Sequence, residues 1–223
     1  MQPFTDRAAV ARYAEGPPRL VPGFADLQRM AMLLLSEGAP DAAEILVLGA
    51  GGGLELKAFA EARPDWRLSG VDPSGEMLDL AKSTLGSLRS RVRLHEGYID
   101  TAPAGPFDGA ACLLTLHFIP KEERLQTLRG VRRRLKPGAP FVVAHHSFPQ
   151  GDSEGRRWSS RFAAFAVSSG IEPEKASASI AGIAERLPVL TPEEDEALLR
   201  EAGFTDIELF YAAFTFRGWV AAA

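Results

Sequence analysis

The stretch EILVLGAGGGLE, residues 44–55, decides the fold when it is taken together with GVDPSGEM, residues 70–77. The first segment opens with an unbroken apolar run, as expected of a parallel strand buried on both faces, and its glycines allow a sharp turn into a helix. That turn presents free backbone amides to a polar ligand. Asp72 ends a second strand, where its carboxylate can accept both hydroxyls of a ribose. The two segments therefore predict a crevice for an adenosyl ligand.

Glycine-rich turns also occur where a strand-to-helix connection simply needs positive φ angles, so the glycines alone leave both interpretations open. The acidic end of the second strand favours the ligand site. The spacing is GxGxG, at Gly49, Gly51 and Gly53, whereas the GxGxxG pattern of dinucleotide sites would need glycine at Leu54. The sequence therefore disfavours a nicotinamide-dependent dehydrogenase.

Length and composition predict one α/β domain over residues 1–223. The chain is 46% apolar and 24% charged, which is ordinary for a globular protein. Its formal charge of −4 gives no strong nucleic-acid signal. Cys112 is the single cysteine and excludes an intrachain disulfide, and no signal peptide or membrane-spanning run is evident. We expect a cytoplasmic protein without membrane association; the sequence leaves a homodimer open.

Strands alternate with helices from residue 44 onward, a rhythm that favours right-handed crossovers and a mostly parallel sheet. Residues 1–40 are predicted to form a helical cap from helices at 3–14 and 23–37, and residues 151–190 a helical insert over the active site. Thr191 and Glu194 have the spacing of a helix-capping box. The predicted parallel strands cover residues 44–49, 66–72, 92–97, 107–115 and 140–146.

The chain resembles the class I S-adenosylmethionine-dependent methyltransferases. The resemblance rests on ILVLGAGGG as the cofactor loop, VDPSGEML as the acidic strand end, and FDGAACLLTLHFI and RRLKPGAPFVVAHHS as the next two strands. LVPGF, LLTLHFIPKEERLQTL and the ending LREAGFTDIELFYAAFTFRGWVA are similar to the carboxy-S-adenosylmethionine synthase branch. The resemblance implies a Rossmann-like sheet that ends in an antiparallel pair, residues 206–211 and 213–220. It also implies that S-adenosylmethionine is converted to S-adenosylhomocysteine.

The resemblance also implies a set of cofactor-binding residues, with two departures from the family pattern. Val47 stands where many relatives have an acidic residue, and Glu55 is either a substitute or a solvated helix residue. Tyr98 stands where an acidic residue usually reads the adenine, a role that Asp100 could also fill. The expected cofactor site comprises Gly49, Ala50, Gly51, Gly53, Asp72, Pro73, Met77, Tyr98, Ile99 and Leu114.

The acceptor is expected beyond the ends of the fourth and fifth strands, near Thr115, His145 and His146. His117 is the first choice for a catalytic base, titrating near pH 6.5, although alignment alone can support methyl transfer. Each histidine has an inert, hydrogen-bonded alternative. Only one of His145 and His146 can face the pocket from a regular strand, and no metal site is expected.

These residues favour methyl transfer from S-adenosylmethionine to a small-molecule acceptor. One alternative is a carboxy-S-adenosylmethionine synthase-like enzyme acting in tRNA wobble-uridine modification. That branch carries an arginine in the insert for the extra carboxylate; residues 176–185 contain none, and Arg161 and Arg186 are the nearest. Burying that carboxylate without a cation is costly, so the ordinary cofactor ranks first. A noncatalytic adenosyl-binding protein is the second alternative, prompted by Val47 and Tyr98.

Overall fold

A computed structural model describes residues 15–151 and 153–223, and within them all side chains except those of 179–181 and 184–186. The helix predicted over residues 3–14 lies outside this part of the chain. The strands are β1 (Glu44–Leu48), β2 (Arg67–Asp72), β3 (Val92–Glu96), β4 (Gly109–Leu113), β5 (Pro140–His146), β6 (Thr205–Ala213) and β7 (Phe216–Ala222).

The helices pack around this sheet and follow the predicted order of elements. The described α-helices are α1 (Gly16–Leu20), α2 (Phe24–Gly38), α3 (Leu54–Ala62), α4 (Gly75–Leu85), α5 (Lys121–Arg132), α6 (Glu154–Ser168), α7 (Pro173–Arg186) and α8 (Pro192–Glu201). Short 3-10 helices span Gly86–Arg91 and Leu116–Phe118. Along the described chain, none of the helices is long and apolar enough to span a bilayer.

The seven strands form one sheet in the order β3-β2-β1-β4-β5-β7-β6. Strands β3, β2, β1, β4 and β5 pair in parallel, and β7 pairs antiparallel with both β5 and β6. The predicted Rossmann-like sheet with an antiparallel end is confirmed. Strand order reverses between β1 and β4, and in open α/β sheets a crevice forms beyond the carboxyl ends of strands at such a point.

Burial explains why the central strands read as apolar runs. The first four residues after Glu44 are buried in β1, and every residue of β4 and β5 is buried. Apolar clusters cover both faces of the sheet. A strand with alternating apolar and polar residues would therefore place polar side chains in one of these cores. Val47 lies fully buried in one of these clusters. A carboxylate at that position would need a partner that this core does not offer.

The C-terminal hairpin corrects the predicted strand bounds. Residues 213–220 were expected to form the last strand, but Ala213 ends β6 and the last strand starts at Phe216. The reversal falls at Phe214, whose φ of 51° suits a tight hairpin turn. The aromatic pattern located both strands but not the turn between them, because the turn carries no glycine, asparagine or aspartate.

The predicted helix-capping box is present at the start of α8. Thr191 Oγ1 accepts from the Glu194 N–H at 3.3 Å, and a Glu194 carboxylate oxygen accepts from the Thr191 N–H at 3.0 Å. These two reciprocal bonds satisfy amides that the first helical turn leaves free. The box fixes where the chain returns from the insert helices α6 and α7 to the sheet.

Candidate active site

A cavity of about 1120 Å³ opens at the carboxyl ends of β1, β2, β4 and β5, where strand order reverses. This volume slightly exceeds the range of ordinary small-molecule pockets, roughly 300–1,000 Å³. It is lined by Gly16, Pro17, Leu20, Val21, Gly49, Gly51, Asp72, Pro73, Met77, Leu114, Thr115, His117, Phe118, Pro120, Lys121, Glu122, His146, Phe162, Gly182, Ile183, Leu187, Pro188 and Phe216.

The glycine-rich loop after β1 forms one wall of the cavity through Gly49 and Gly51. Gly49 has a φ of 76°, and a Cβ built there would collide with the Thr115 side chain. The Gly49 and Ala50 N–H groups donate to the Val71 carbonyl, at 2.8 and 3.0 Å. Glycine is therefore required at residue 49 both by backbone conformation and by the close approach of the β4 end.

Ala50 and Gly53 belong to the same loop but do not line the cavity. Ala50 is fully buried in the core, and Gly53, with a φ of 81°, is the residue before α3. A Cβ on Gly53 would crowd Ala81 of α4. These two predicted cofactor residues shape the loop from behind, and the correction is that only alternate loop positions face a ligand.

Asp72 joins the two loops that border the cavity. One carboxylate oxygen accepts from the Gly51 N–H and the other from the Ser74 N–H, both at 2.9 Å. Ser74 in turn caps α4, because its hydroxyl accepts from the Met77 N–H at 3.2 Å. Burial raises the pKa of Asp72, and the two backbone hydrogen bonds act against that rise. Each oxygen keeps a further lone-pair site for a ligand hydroxyl.

Glu55 lies buried in the first turn of α3, 8% exposed, so the interpretation of a solvated helix residue is wrong. Burial raises its pKa to about 8; a hydrogen bond with its own backbone opposes the rise, and the nearby Asp72 charge adds to it. Glu55 is therefore mostly protonated at neutral pH. It does not line the cavity, so it is a neutral buried acid behind the loop.

His117 lies in the 3-10 turn that follows β4 and faces the cavity. Its Nδ1 accepts a hydrogen bond from the backbone N–H of His146 at 3.1 Å. Burial lowers the pKa of His117 well below its usual value, and the neighbouring His146, His145 and Arg124 lower it further. The expected titration near pH 6.5 is therefore wrong for this ring.

His146 ends β5 and contributes a second imidazole to the cavity. Its Nδ1 lies 3.0 Å from Thr215 Oγ1, and its ring stacks on Phe216 with centroids 4.0 Å apart. Burial lowers the pKa of His146 to about 3; the neighbouring His145 adds to the shift, and a hydrogen bond to the Thr215 backbone opposes it. The centroids of His117 and His146 are 4.9 Å apart.

His145 points to the opposite face of the sheet and does not line the cavity. Its Nε2 lies 3.1 Å from a carboxylate oxygen of Asp195, and its ring lies against Trp219 at a centroid distance of 5.7 Å. The expectation that His145 contacts the substrate is thereby corrected. Strand alternation is the cause, since neighbouring residues of β5 face opposite sides.

Tyr98 and Ile99 also lie away from the cavity, contrary to their predicted cofactor role. Tyr98 is 48% exposed and Ile99 packs against Gly130. The Tyr98 carbonyl accepts from the N–H groups of Thr101 and Ala102, so the chain after β3 forms a turn. That turn directs both side chains away from the ligand crevice.

Aromatic residues of the cavity were not predicted as site residues. Phe162 lies on the insert helix α6, Phe216 begins β7 and Phe118 follows His117. Helical spacing of Trp158, Phe162 and Phe165 was the available signal for Phe162. No sequence signal places Phe216 beside His146, because the pairing of β5 with β7 is long-range. Among the described residues, no cluster of three His, Cys, Asp or Glu side chains could hold a metal ion.

Comparisons with known proteins agree with this geometry. Residues 45–138 match the methyltransferase domain family. The carboxy-S-adenosyl-L-methionine synthase of Campylobacter lari is 24% identical over 203 residues, 91% of this chain and 87% of that protein. The corresponding protein of Chromohalobacter salexigens is 26% identical over 223 residues, 97% of this chain and 82% of that one. The fold matches a SAM-dependent methyltransferase structure from Aquifex aeolicus with a TM-score of 0.65 and 17% identity, covering 97% and 98% of the two chains.

Residues 45–138 carry a methyltransferase domain, the fold is that of the class I S-adenosylmethionine-dependent methyltransferases, and the chain is similar to carboxy-S-adenosylmethionine synthases. The cofactor of the class is S-adenosylmethionine. The cavity fits such a ligand at one end, where Gly49 and Gly51 bring bare backbone to the wall and where Asp72 offers acceptor oxygens.

Proposed function

We propose that this enzyme methylates a small, largely apolar molecule held between the sheet and the insert helices. The observation that carries the proposal is the continuity of the cavity. One end is formed by Gly49, Gly51 and Asp72, and the other by His117 and His146. A ligand bound along the first end therefore shares one continuous cavity with a second molecule at the histidines.

Each segment that borders the cofactor end of the cavity would contact a different part of S-adenosylmethionine. The loop at Gly49 and Gly51 would accommodate the methionine part closely, and Asp72 would accept from the ribose hydroxyls. Pro73 and Met77, which follow β2, would form an apolar wall for the adenine. S-adenosylmethionine supplies an electrophilic methyl group when bound. The chain's own contribution is then to position the acceptor in line with that group.

The acceptor end is apolar and aromatic, with few polar groups. Ile183 and Leu187 from the insert segment face the same space as Phe162 and Phe216. Such a lining favours a compact, uncharged body and fixes its orientation through the two histidines. The cytoplasmic location inferred from the sequence belongs to this proposal, and so does the absence of a nucleic-acid partner.

A carboxylated cofactor and a role in tRNA wobble-uridine modification form the second candidate, favoured by the named curated relatives. The described cavity lining argues against this candidate, because it contains few cationic side chains. Among the described lining residues Lys121 is the cationic side chain, and its Nζ lies 2.7 Å from a Glu194 carboxylate oxygen. Arg161 stacks on Trp158 instead, at 4.5 Å, and the Arg186 side chain lies outside the described residues. Among the side chains that the structure describes, the carboxylate would thus lack a free cation. We rank the noncatalytic alternative below both candidates, because residues 45–138 match the methyltransferase domain family.

Mass spectrometry separates these candidates. The protein is purified without added cofactor, and the ligand extracted from it is compared with S-adenosylmethionine, S-adenosylhomocysteine and the carboxylated sulfonium. We expect the first two, and transfer of a deuterated methyl group to members of a panel of uncharged aromatic and aliphatic acceptors. Stoichiometric copurification of the carboxylated form would overturn the proposal in favour of the second candidate.

A further inference from the structure

The cavity-facing histidines have different hydrogen-bond partners, a backbone N–H for His117 and a hydroxyl for His146. The Nδ1 atom of His117 accepts from the backbone N–H of His146. A backbone N–H can only donate, so Nδ1 must carry a lone pair and the proton of the neutral ring must sit on Nε2. The Nε2 atom has no hydrogen-bond partner among the described residues, and the ring lines the cavity. His117 therefore offers the cavity an N–H donor.

His146 contacts a hydroxyl group instead of an N–H. Its Nδ1 lies 3.0 Å from Thr215 Oγ1, which can accept from an Nδ1–H or donate to an Nδ1 lone pair. Its Nε2 has no hydrogen-bond partner within the described chain. When Thr215 is the acceptor, the proton sits on Nδ1 and Nε2 offers the cavity a lone pair, and this is the state that the proposal assigns to His146.

The packing around both rings keeps their orientations in place. His117 is 4% exposed and His146 is 6% exposed. Phe216 stacks on the His146 ring and Phe162 meets it edge-on, with centroids 5.5 Å apart. A ring flip would break the buried hydrogen bond of either histidine and leave an unpaired polar atom in an apolar site.

We propose that His117 and His146 form a donor–acceptor pair for a hydroxyl group, so that the enzyme is an O-methyltransferase for an uncharged alcohol or phenol. The proposal rests on the methyltransferase function proposed above. The hydroxyl oxygen accepts from His117 Nε2–H and donates to His146 Nε2, which leaves its second lone pair for attack. An ammonium substrate fits poorly, because it has no lone pair for the His117 donor.

The proton balance of the step follows from this geometry. The oxygen–methyl bond forms as the carbon–sulfur bond of the sulfonium breaks, and that electron pair passes to sulfur. The hydroxyl proton moves to His146 Nε2 and then to solvent. The oxygen becomes strongly acidic as it acquires the methyl group, so a weak base is sufficient. His117 donates throughout and cannot be the base, because its cavity-facing nitrogen already holds a proton; the base role predicted for His117 is replaced by an oxygen-binding role.

Histidine tautomers can be measured directly in the free protein by long-range ¹H–¹⁵N correlation spectra of ¹⁵N-histidine-labelled protein. Four histidines contribute, and His117→Asn and His146→Asn assign the two relevant ring systems. We expect the Nε2–H tautomer for His117 and the Nδ1–H tautomer for His146. Finding both rings in one tautomer would overturn the pair. This readout needs no cofactor, so it stays separate from a failure of S-adenosylhomocysteine to bind, which would instead contradict the methyltransferase proposal.

Ligand binding tests the hydroxyl directly. The probes are naphthol and its methyl ether, titrated into the protein saturated with S-adenosylhomocysteine. Asparagine at residue 117 keeps an acceptor for the His146 N–H, and asparagine at residue 146 keeps a donor to Thr215, while each removes the cavity-facing nitrogen. Naphthol should bind about 3- to 10-fold more weakly to each variant, the size of one neutral hydrogen bond.

The methyl ether cannot donate, so it should bind the parent protein and His146→Asn with nearly equal affinity. His95→Asn, on β3 outside the cavity, is the control and should bind both probes as the parent does. Melting curves check that the Asn variants are folded. Equal naphthol affinity in the parent and in folded His117→Asn and His146→Asn would overturn the proposal.

Discussion

Arg124 and Asp195 form a buried ion pair that joins helix α5 to helix α8. Arg124 Nη1 lies 3.0 Å from an Asp195 carboxylate oxygen, and the side chains are 0% and 3% exposed. Arg124 Nη2 also donates to the carbonyls of Ile119 and Pro188, at 3.2 and 2.8 Å. Pro188 follows the insert helices and lines the cavity, so this pair anchors the insert beside the His117 turn.

Loss of the Arg124 charge should strongly destabilise the protein. Arg124→Met leaves the buried Asp195 carboxylate with His145 as a remaining partner, and removing one partner of a buried ion pair costs about 3–5 kcal/mol. Lys121→Met is the matched control, because Lys121 pairs with Glu194 across the same two helices but is 57% exposed. An exposed pair of this kind contributes at most about 1 kcal/mol. Urea denaturation measures both changes, and equal losses would contradict the assigned role of Arg124.

Glu55 should make the stability of the fold decrease as pH rises. Its pKa is raised in the folded state from 4.5 to about 8, so the unfolded chain releases the proton first. Stability from the neutral acid is complete below pH 4.5 and is lost up to about pH 8, with a slope of about 1.4 kcal/mol per pH unit. Glu55→Gln should therefore gain stability relative to the parent across this window. Parallel stability curves for the two proteins would show that Glu55 is not a buried neutral acid.

The cavity histidines should produce the opposite slope at acidic pH. His146 has a pKa lowered to about 3, so the unfolded chain binds a proton that the folded chain does not. Its contribution is complete above pH 6.5 and is lost as pH falls toward 3, again by about 1.4 kcal/mol per pH unit. His146→Asn should flatten this acid limb in thermal melts recorded from pH 7 to 4. An unchanged limb would contradict the burial of a neutral ring.

Comparison of Gly49 with Gly138 distinguishes the cost of a left-handed backbone from an effect on cofactor binding. Gly49 and Gly138 have the same φ of 76°, but only Gly49 has a neighbour, Thr115, within reach of an added Cβ. Gly138→Ala should lose about 1 kcal/mol of stability from the left-handed backbone, and Gly49→Ala should lose more, because its Cβ also collides with Thr115. Only Gly49→Ala should also weaken S-adenosylhomocysteine binding, because the loop must shift away from Thr115. Calorimetric titration of both variants measures this; equal affinities would remove Gly49 from the cofactor wall.

The fold could be predicted because its signals are local. The apolar run of β1, the glycine turn and the position of Asp72 lie within thirty residues, roughly the length of one βαβ unit. The aromatic ending similarly predicted the antiparallel pair. The backbone amides that Asp72 holds were not predictable, because only the folded loops bring Gly51 and Ser74 to one carboxylate.

The roles of several site residues could not be predicted from the sequence, for one common physical reason. Glu55 looked like an ordinary surface residue because helical spacing does not report how deeply the loop above it is buried. The ion pair of Arg124 and Asp195 spans 71 positions in the sequence, and its partners carry no shared motif. His117 was favoured as a base from its place after β4, but its tautomer depends on the backbone N–H of His146, 29 positions away. Long-range contacts decided each role.

A crystal structure with S-adenosylhomocysteine tests the central claim most directly. We expect the ribose hydroxyls within hydrogen-bond distance of the Asp72 carboxylate, the homocysteine part against Gly49 and Gly51, and the sulfur directed toward His117 and His146. Asp72 should keep its bonds to the Gly51 and Ser74 amides in that complex. A ligand bound elsewhere, or one whose sulfur points away from the two histidines, would contradict the assignment of this cavity as the methyl-transfer site.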